Sequence, residues 1–350
     1  MAYSFREIVE LILPSMPPTL ITAQSASSLR EVAAHYPSLL GGGFELRLAA
    51  DQPQVDLFQI VTRLDRSRLI GDVAAHFLDN PQYQDPLWLG LHNVLSYWHD
   101  HAAELDELIY GLSLELRYKS VDGPPRPAIA FGLSAAATLS GHVNELVAQA
   151  LRHFLGDQET TVLLANLRQH LPSPQTGATL RLLGIGIEPL GLGLRPYLRN
   201  LRVAQLIPYL ESIGWQGRAQ EVYDLAVWLA RYNEALDVHL DLIDTVGPRL
   251  GFKIFGHSRG RYDPRLAALL DDLVGRGLCA PEKRDALRTQ VWTLTPLNST
   301  LPWPDHLILD SLSCPEPVPG AFYSYLQVIK VAYEPGKALE AKAYIYCNYI

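Results

Sequence analysis

The sequence predicts an α+β protein in which a ten-stranded antiparallel β-barrel with a polar lumen is surrounded by helices. Two strand-like runs joined by a turn are followed by two helix-like runs, and this order recurs along almost the whole chain. The strands also have one polar and one apolar face. In the last run Lys342, Tyr344, Tyr346 and Asn348 alternate with apolar neighbours. Helices must cover the apolar faces and the polar faces must meet water, so five such hairpins predict a closed barrel.

Five turns that contain Gly, Pro or Asp separate the two strands of each pair. They are expected at residues 51–54, 122–125, 189–191, 245–248 and 334–337. The flanking strands are expected at residues 44–49 with 55–62, 107–119 with 127–134, 179–188 with 192–201, 235–244 with 250–256, and 325–333 with 339–349.

Helix signals lie between the hairpins and come in pairs. Apolar residues keep a spacing of i, i+3, i+4 and i+7 over residues 143–154, and a second helix is expected at about 160–170. Later helices are expected at 205–213, 218–232 and 266–273, with another opening at Pro281. The Pro-rich residues 295–319 are interpreted as an ordered loop or lid over one barrel mouth, or as a plain surface insertion.

Composition restricts the class of protein. The chain has 350 residues, of which 48% are apolar and 19% charged, so we expect a soluble protein with a single barrel domain spanning residues 1–350. Apolar runs stay well short of the roughly 20 residues that span a bilayer. The net charge of −8 argues against a nucleic-acid partner, since phosphate backbones are bound by clustered Lys and Arg.

The amino-terminal residues and the cysteines predict a cytoplasmic location. Residues 1–15 carry acidic side chains and lack the basic start and the small-residue cleavage site of a secretory signal. Cys279, Cys314 and Cys347 are odd in number, far apart and without metal-ligand spacing, as expected of reduced thiols.

Strand alternation assigns one side of every hairpin to the lumen, and that side carries most of the candidate functional residues. They are Glu45, Arg47, Ser113, Glu115, Arg117, Arg195, Tyr197, Arg199, Asp237, His239, Asp241, Lys253, Lys330, Lys342, Tyr344, Tyr346 and Asn348. Seven cations thus face four carboxylates in a protein that is anionic overall. Like charges are costly to enclose without a counter-ion, so the pattern indicates a polyanionic ligand such as diphosphate. The alternative is that individual strand cations simply face solvent.

Three strands carry a resemblance to a known family. Lys253 in Gly251-Phe-Lys-Ile254, Lys330 in Val328-Ile-Lys-Val-Ala-Tyr333, and Lys342-Ala-Tyr344-Ile-Tyr346 resemble the Lys-x-Tyr strands of the PT-barrel (ABBA-type) aromatic prenyltransferases. The resemblance implies repeated αββα units around a diphosphate-binding lumen. It also implies transfer of an isoprenoid from an allylic diphosphate to an indole- or phenol-like acceptor, either a small molecule or a peptide, in natural-product biosynthesis. No cofactor is then required, Mg²⁺ is possible, and a monomer or homodimer is expected.

Each candidate residue has a role in this chemistry. Glu45 or Glu115 would accept the proton lost by the aromatic acceptor. The cations would neutralise the leaving group, tyrosine rings would shield the allylic cation, and further lumen side chains would contact substrate. Diphosphate would be held by Arg47, Arg117, Arg199, Lys253, Lys330 and Lys342; Tyr197, Tyr344 and Tyr346 would be the shield; Arg195, Asp237, His239 and Asp241 complete the substrate-binding set.

The acidic pair Asp237 and Asp241 departs from the expected pattern and keeps other functions open. These carboxylates could hold Mg²⁺, recognise a cationic amine, or serve a different reaction. A cyclase of an aromatic intermediate could use the same barrel without a prenyl donor, and a non-catalytic carrier could bind a small molecule in it. The cluster at His99 and His101 is interpreted as a solvated helix end, because helical residues two apart point in different directions. No metal site is predicted.

Overall fold

The sheet has eleven strands, and hydrogen bonding joins ten of them into a closed antiparallel ring. The computed structural model describes residues 4–37, 39, 41–63, 65–78, 85–118, 125–134, 137, 143–172, 176–188, 191–243, 245–256, 263–313 and 320–349. Its strands are β1 (Gly42–Arg47), β2 (Val55–Val61), β3 (Ile109–Tyr118), β4 (Pro125–Leu133), β5 (Thr179–Glu188), β6 (Gly191–Arg202), β7 (Ala235–Leu242), β8 (Val246–Phe255), β9 (Val291–Leu294), β10 (Phe322–Tyr333) and β11 (Glu340–Tyr349). Strands β1 to β8 are neighbours in chain order, β8 pairs with β10, β10 with β11, and β11 with β1. The predicted ten-stranded barrel is therefore confirmed.

Twelve α-helices lie in the described part of the chain. They are α1 (Phe5–Ile12), α2 (Ala23–Ala33), α3 (Arg66–Val73), α4 (Pro86–Asp100), α5 (Ala102–Leu108), α6 (Val143–Leu155), α7 (Asp157–His170), α8 (Val203–Ser212), α9 (Ala219–Leu229), α10 (Pro264–Gly275), α11 (Pro281–Arg288) and α12 (Asp305–Ser313). Among the described residues, the helices are too short or too polar to cross a bilayer.

Several predicted boundaries need correction. Strand β9 was not predicted; it pairs with the start of β10, so the sheet extends beyond the ring. The stretch 295–319 contains helix α12, whereas residues 314–319 lie outside the described residues. Strand β8 begins at Val246, so most of the turn predicted at 245–248 belongs to a strand. Most of each turn predicted at residues 122–125 and 189–191 lies outside the described residues.

Contacts divide the chain into two compact units. The first contains Met1–Gln59, Ile254–Val331 and Leu339–Ile350, and the second contains Ile60–Lys253 and Ala332–Ala338. The two are described separately below.

In the first unit, strand alternation separates an apolar face from a charged one. Phe44 and Leu46 of β1 are buried and lie opposite Ile345 and Ala343 of β11. The intervening residues Glu45 and Arg47 lie opposite Tyr344 and Lys342. Helix α1 begins with a capping box in which Ser4 and Glu7 satisfy each other's backbone N–H groups, and it buries Phe5, Ile8, Val9, Leu11 and Ile12.

In the second unit, the same alternation runs through β3 to β8. Leu236, Val238 and Leu240 of β7 are buried, and Val238 and Leu240 lie opposite Phe252 and Leu250 of β8. Residues 237, 239 and 241 carry the polar side chains of the other face. Helices α4 and α6 approach closely at Gly90, where an added Cβ would lie 2.1 Å from the carbonyl oxygen of Phe154.

The close approach of α4 and α6 at Gly90 predicts that a larger side chain there destabilises the protein. Gly90→Ala should lower the free energy of unfolding by about 1–3 kcal/mol, because the new methyl group forces α4 away from α6. Gly71→Ala, in helix α3, is the matched control: nothing lies within 4 Å of its added Cβ, so we expect a gain of up to about 1 kcal/mol from helix propensity. Urea denaturation measures both changes, and equal effects in the two variants would contradict the predicted close packing.

Candidate active site

Arg47 joins three carboxylates on the charged face of the first unit. Its Nη1 lies 2.8 Å from Glu45 Oε1, its Nη2 lies 2.8 Å from Asp56 Oδ2, and its Nε lies 3.1 Å from Glu340 Oε1. Asp56 is directly opposite Glu45 in the β1–β2 ladder. The three guanidinium nitrogens therefore contact carboxylates on three different strands, and these contacts fix the orientation of the group.

Lys342 completes the same network. Its Nζ lies 2.7 Å from Glu45 Oε1 and 3.5 Å from Glu340 Oε1, and its side chain is only 8% exposed. Burial by itself would raise the pKa of Glu45, but the charges of Lys342, Lys330 and Arg47 outweigh it and hold that pKa well below its ordinary value. Glu45 is thus ionised and shared between two cations.

Tyr344 and Tyr346 belong to an aromatic cluster in the same unit. The Phe58 ring lies 6.1 Å from that of Tyr344 and 5.2 Å from that of Tyr346, the second pair being edge-to-face. Tyr325 stacks on Tyr346 at 6.0 Å, and its hydroxyl accepts a hydrogen bond from Asn348 Nδ2 at 3.5 Å. These rings offer an apolar surface beside the ionic network.

The second unit contains a small open cavity with a volume of about 50 Å³. Polar side chains in its lining come from three hairpins, namely Ser113, Glu115, Arg195, Tyr197 and Asp241. Arg195 Nε donates to Asp241 Oδ1 at 2.5 Å, across the β6–β7 pair. The cavity therefore combines a paired cation, a carboxylate and an aromatic ring.

Tyr197 is held between a histidine and a lysine. The Lys253 Nζ lies 4.2 Å from the centroid of the Tyr197 ring, and the His239 ring lies 4.9 Å from it. His239 pairs with Tyr197 on one side and with Gly251 on the other. An added Cβ at Gly251 would lie 1.8 Å from the His239 ring, so this glycine makes room for the buried imidazole. The Tyr197 ring already carries a cation on its face.

Asp237 lies opposite Lys253 on the neighbouring strand and is buried. Burial raises the pKa of its carboxyl, against the opposing charges of Arg199, Arg181 and Lys253. The Asn200 backbone N–H also donates to Asp237 Oδ1 at 3.4 Å. The pKa of Asp237 is thus shifted upward, whereas the pKa of Glu45, in the first unit, is shifted downward.

The structure brings the predicted site residues together in two groups. Glu45, Arg47, Lys330, Lys342, Tyr344 and Tyr346 lie in the first unit, and Glu115, Arg195, Tyr197, Arg199, Asp237, His239, Asp241 and Lys253 lie in the second. Arg117 belongs to β3, but its side chain lies outside the described residues. One assignment is wrong in part: Arg199 is exposed to solvent rather than enclosed, at a bulge in β6 where Asn200 has a positive φ of 65°.

The predicted charge excess also needs correction. The predicted count of seven cations and four carboxylates did not include Asp56 and Glu340. Both of these carboxylates form ion pairs with Arg47. Both could have been found by alternation, since Asp56 shares a face with Phe58 on β2 and Glu340 precedes Lys342 by two positions on β11. In the first unit, three cations are balanced by three carboxylates.

Comparisons with known proteins point to one architecture. The chain matches no family model, and no relative was found among curated proteins. Among solved structures, AnaPT from Neosartorya fischeri aligns over 97% of this chain and 91% of its own, with 13% identity and a TM-score of 0.55. The chain has the PT-barrel fold. At this identity the likeness concerns the fold alone.

Two further structures align over nearly the whole chain at lower scores. Prenyltransferase PriB, in complex with L-tryptophan and dimethylallyl thiolodiphosphate, aligns over 97% of this chain and 94% of its own, with 12% identity and a TM-score of 0.47. The 5-dimethylallyltryptophan synthase of Streptomyces coelicolor aligns over 99% and 98%, with 13% identity and a TM-score of 0.46.

Metal and thiol chemistry have little support in the described part of this PT barrel. No group of three or more His, Cys, Asp or Glu side chains there is placed to hold a metal ion. Cys279 and Cys347 are buried free thiols, and burial raises their pKa values to about 11 and about 12. A thiol with such a pKa is a poor nucleophile at neutral pH.

The ion pairs of the Glu45 carboxylate predict that its contribution to the free energy of unfolding depends on pH. A folded-state pKa below the ordinary 4.5 means that Glu45 stabilises the native protein above about pH 4.5, and this stabilisation is lost as pH falls through the lowered pKa. Glu45→Gln should therefore lower the free energy of unfolding at pH 7 by about 3 kcal/mol, since it leaves Lys342 without its nearest carboxylate. The difference from wild type should shrink in acid, as measured by urea denaturation across pH.

Glu10→Gln is the control for that experiment. Glu10 forms a surface ion pair with Arg6, and both side chains are more than 40% exposed. Such a pair contributes about 0–1 kcal/mol, so the variant should follow the wild-type pH curve closely. A Glu45→Gln curve parallel to the wild type at every pH would show that Glu45 is not held ionised.

Proposed function

We propose that this protein is an aromatic prenyltransferase, which transfers an isoprenoid from an allylic diphosphate to an indole- or phenol-like acceptor. The observation that carries the proposal is the Lys253 ammonium over the Tyr197 ring, on strands that also bring Arg195 to a cavity of a PT barrel. Such a reaction needs cations for the leaving diphosphate beside an aromatic face for the developing allylic cation. Here the Lys253 ammonium lies over the Tyr197 ring, 4.2 Å from its centroid.

The proposed reaction is an electrophilic aromatic substitution. The allylic C–O bond breaks and its electron pair leaves with the diphosphate, whose charge Arg195 and Lys253 would neutralise. The acceptor ring then supplies the electron pair of the new C–C bond, and the resulting arenium ion loses its proton to a carboxylate. Arg195 and Lys253 could provide the positive charge without a metal, so we propose that Mg²⁺ is not required.

Glu115 is the better candidate for the proton acceptor. It lines the cavity with Arg195 and Tyr197, whereas Glu45 lies in the ionic network of the first unit. A carboxylate with a strongly lowered pKa is a weak base. The predicted roles of Arg47, Lys330, Lys342, Tyr344 and Tyr346 in binding diphosphate and shielding the cation stay predictions.

A cyclase acting on an aromatic intermediate is the second candidate, favoured by one observation. Asp237 has a raised pKa and lies opposite Lys253, and a carboxyl that holds its proton can act as a general acid. A cyclase would need neither diphosphate nor an allylic donor. A carrier would bind an aromatic compound and return it unchanged.

The proposed function predicts a specific loss of activity. We expect dimethylallyl or geranyl diphosphate, incubated with L-tryptophan or other indoles and phenols, to give a prenylated product detectable by mass spectrometry and unaffected by EDTA. Lys253→Met should lower kcat by about a hundredfold, because it removes a charge that stabilises the leaving group. Lys337→Met is the matched control, since Lys337 is exposed in the β10–β11 turn and pairs with Glu334.

Other outcomes separate the alternatives. A ligand that binds only the native state raises its melting temperature, so diphosphates should stabilise the wild type, and Lys253→Met should weaken that effect. Stabilisation by an aromatic compound alone, with a changed product mass, would favour the cyclase. Stabilisation with no change in mass would favour the carrier and refute transfer.

A further inference from the structure

Lys283, on helix α11, holds the turn between β1 and β2 through three hydrogen bonds. Its Nζ donates to the carbonyl oxygens of Arg47, Ala49 and Gln52, each at 2.8 Å. The side chain is buried, with 8% of the residue exposed. An ammonium group has three donors and no acceptor, so these carbonyls satisfy all of its hydrogen-bonding capacity. Backbone carbonyl groups therefore bind all three donors of the Lys283 ammonium group.

The same segment is attached at further points within the first unit. Ala280, just before α11, donates its N–H to the carbonyl of Leu48 at 2.9 Å. Leu48 in turn donates to Ala341 at 3.0 Å, which continues the β1–β11 ladder. Ser25 Oγ donates to the carbonyl of Pro53 at 2.7 Å. The β1–β2 turn is thus held by hydrogen bonds from outside its own hairpin.

Arg47 links this turn to the ionic network. Its carbonyl accepts a hydrogen bond from Lys283, while its guanidinium contacts Glu45, Asp56 and Glu340. Glu45 shares Oε1 between Arg47 and Lys342. A shift of the Arg47 backbone would therefore move the guanidinium away from three carboxylates and disturb Lys342 through Glu45.

We propose that Lys283 is a positioning residue, which fixes the Arg47 backbone and through it the geometry of the Arg47, Glu45 and Lys342 network. The inference rests on the proposed function for its consequence in catalysis, through the predicted contribution of Arg47 and Lys342 to binding the donor diphosphate. Its structural content, the coupling of Lys283 to Arg47, stands without that function. Lys283 itself contacts no reacting atom.

The test replaces the ammonium while keeping the length of the side chain. In Lys283→Met, the amide hydrogens of residues 48–52 and 54 should exchange about tenfold faster than in the wild type, because three carbonyl contacts are lost. Its affinity for inorganic diphosphate, measured by calorimetry below the melting temperature, should fall about tenfold, since small displacements of binding groups weaken their interactions strongly. Lys283→Arg keeps a charge with several donors and should recover part of both losses.

Controls separate positioning from general stability. Arg284→Gln alters the next residue of α11, whose guanidinium contacts Asp285 and Asp271 at the surface, and should change neither readout. In a cycle of Lys283→Met, Arg47→Met and the double variant, the two unfolding free energies should not add. A Lys283→Met protein that melts earlier but keeps wild-type exchange and additive energies would overturn the proposal.

The two proposals fail in different ways. Absence of diphosphate binding in the wild type would count against the proposed function, while faster exchange and non-additivity in Lys283→Met would still support the positioning role. Normal diphosphate binding in the wild type and unchanged binding in Lys283→Met would instead refute the positioning role alone.

Discussion

Pairing of strand cations with carboxylates from neighbouring strands is the interaction on which both candidate clusters depend. A charged side chain removed from water is strongly destabilising without a partner, and an ion pair offsets that cost only when its geometry is good. Arg47 meets this condition with three carboxylates, and Arg195 with Asp241. Polar strand faces can therefore be enclosed in an α+β fold whose apolar faces supply most of the burial.

Strand alternation was sufficient to predict much of the fold and of the site. It placed Glu45, Arg47 and Lys342 on one face, and these side chains do meet. It failed where the backbone departs from regular alternation. The bulge near Leu198 and Asn200 in β6 changes the direction of the following side chains, and Arg199 is exposed there. A bulge leaves little trace in the hydrophobic pattern, so periodicity alone could not have found it.

Other features escaped prediction because their signals are local rather than periodic. Helix α4 begins with Asp85 accepting from the Leu87 N–H and with Pro86 in the first turn, a capping signal that lies in two or three residues and was not used. The Lys283 contacts join residues more than 230 positions apart. Because a lysine on a short helix normally indicates a solvated face, only tertiary structure could show that this one binds backbone carbonyls.

Charge balance also limits how a polyanion could enter either cluster. In the first unit Glu45, Asp56 and Glu340 already neutralise the cations, so a diphosphate must displace a carboxylate or add to a nearly neutral site. In the second unit burial raises the pKa of Asp237, whose carboxyl lies opposite Lys253. On this argument the carboxylates hold the cations in position before a ligand arrives, and a ligand must compete with them for those cations.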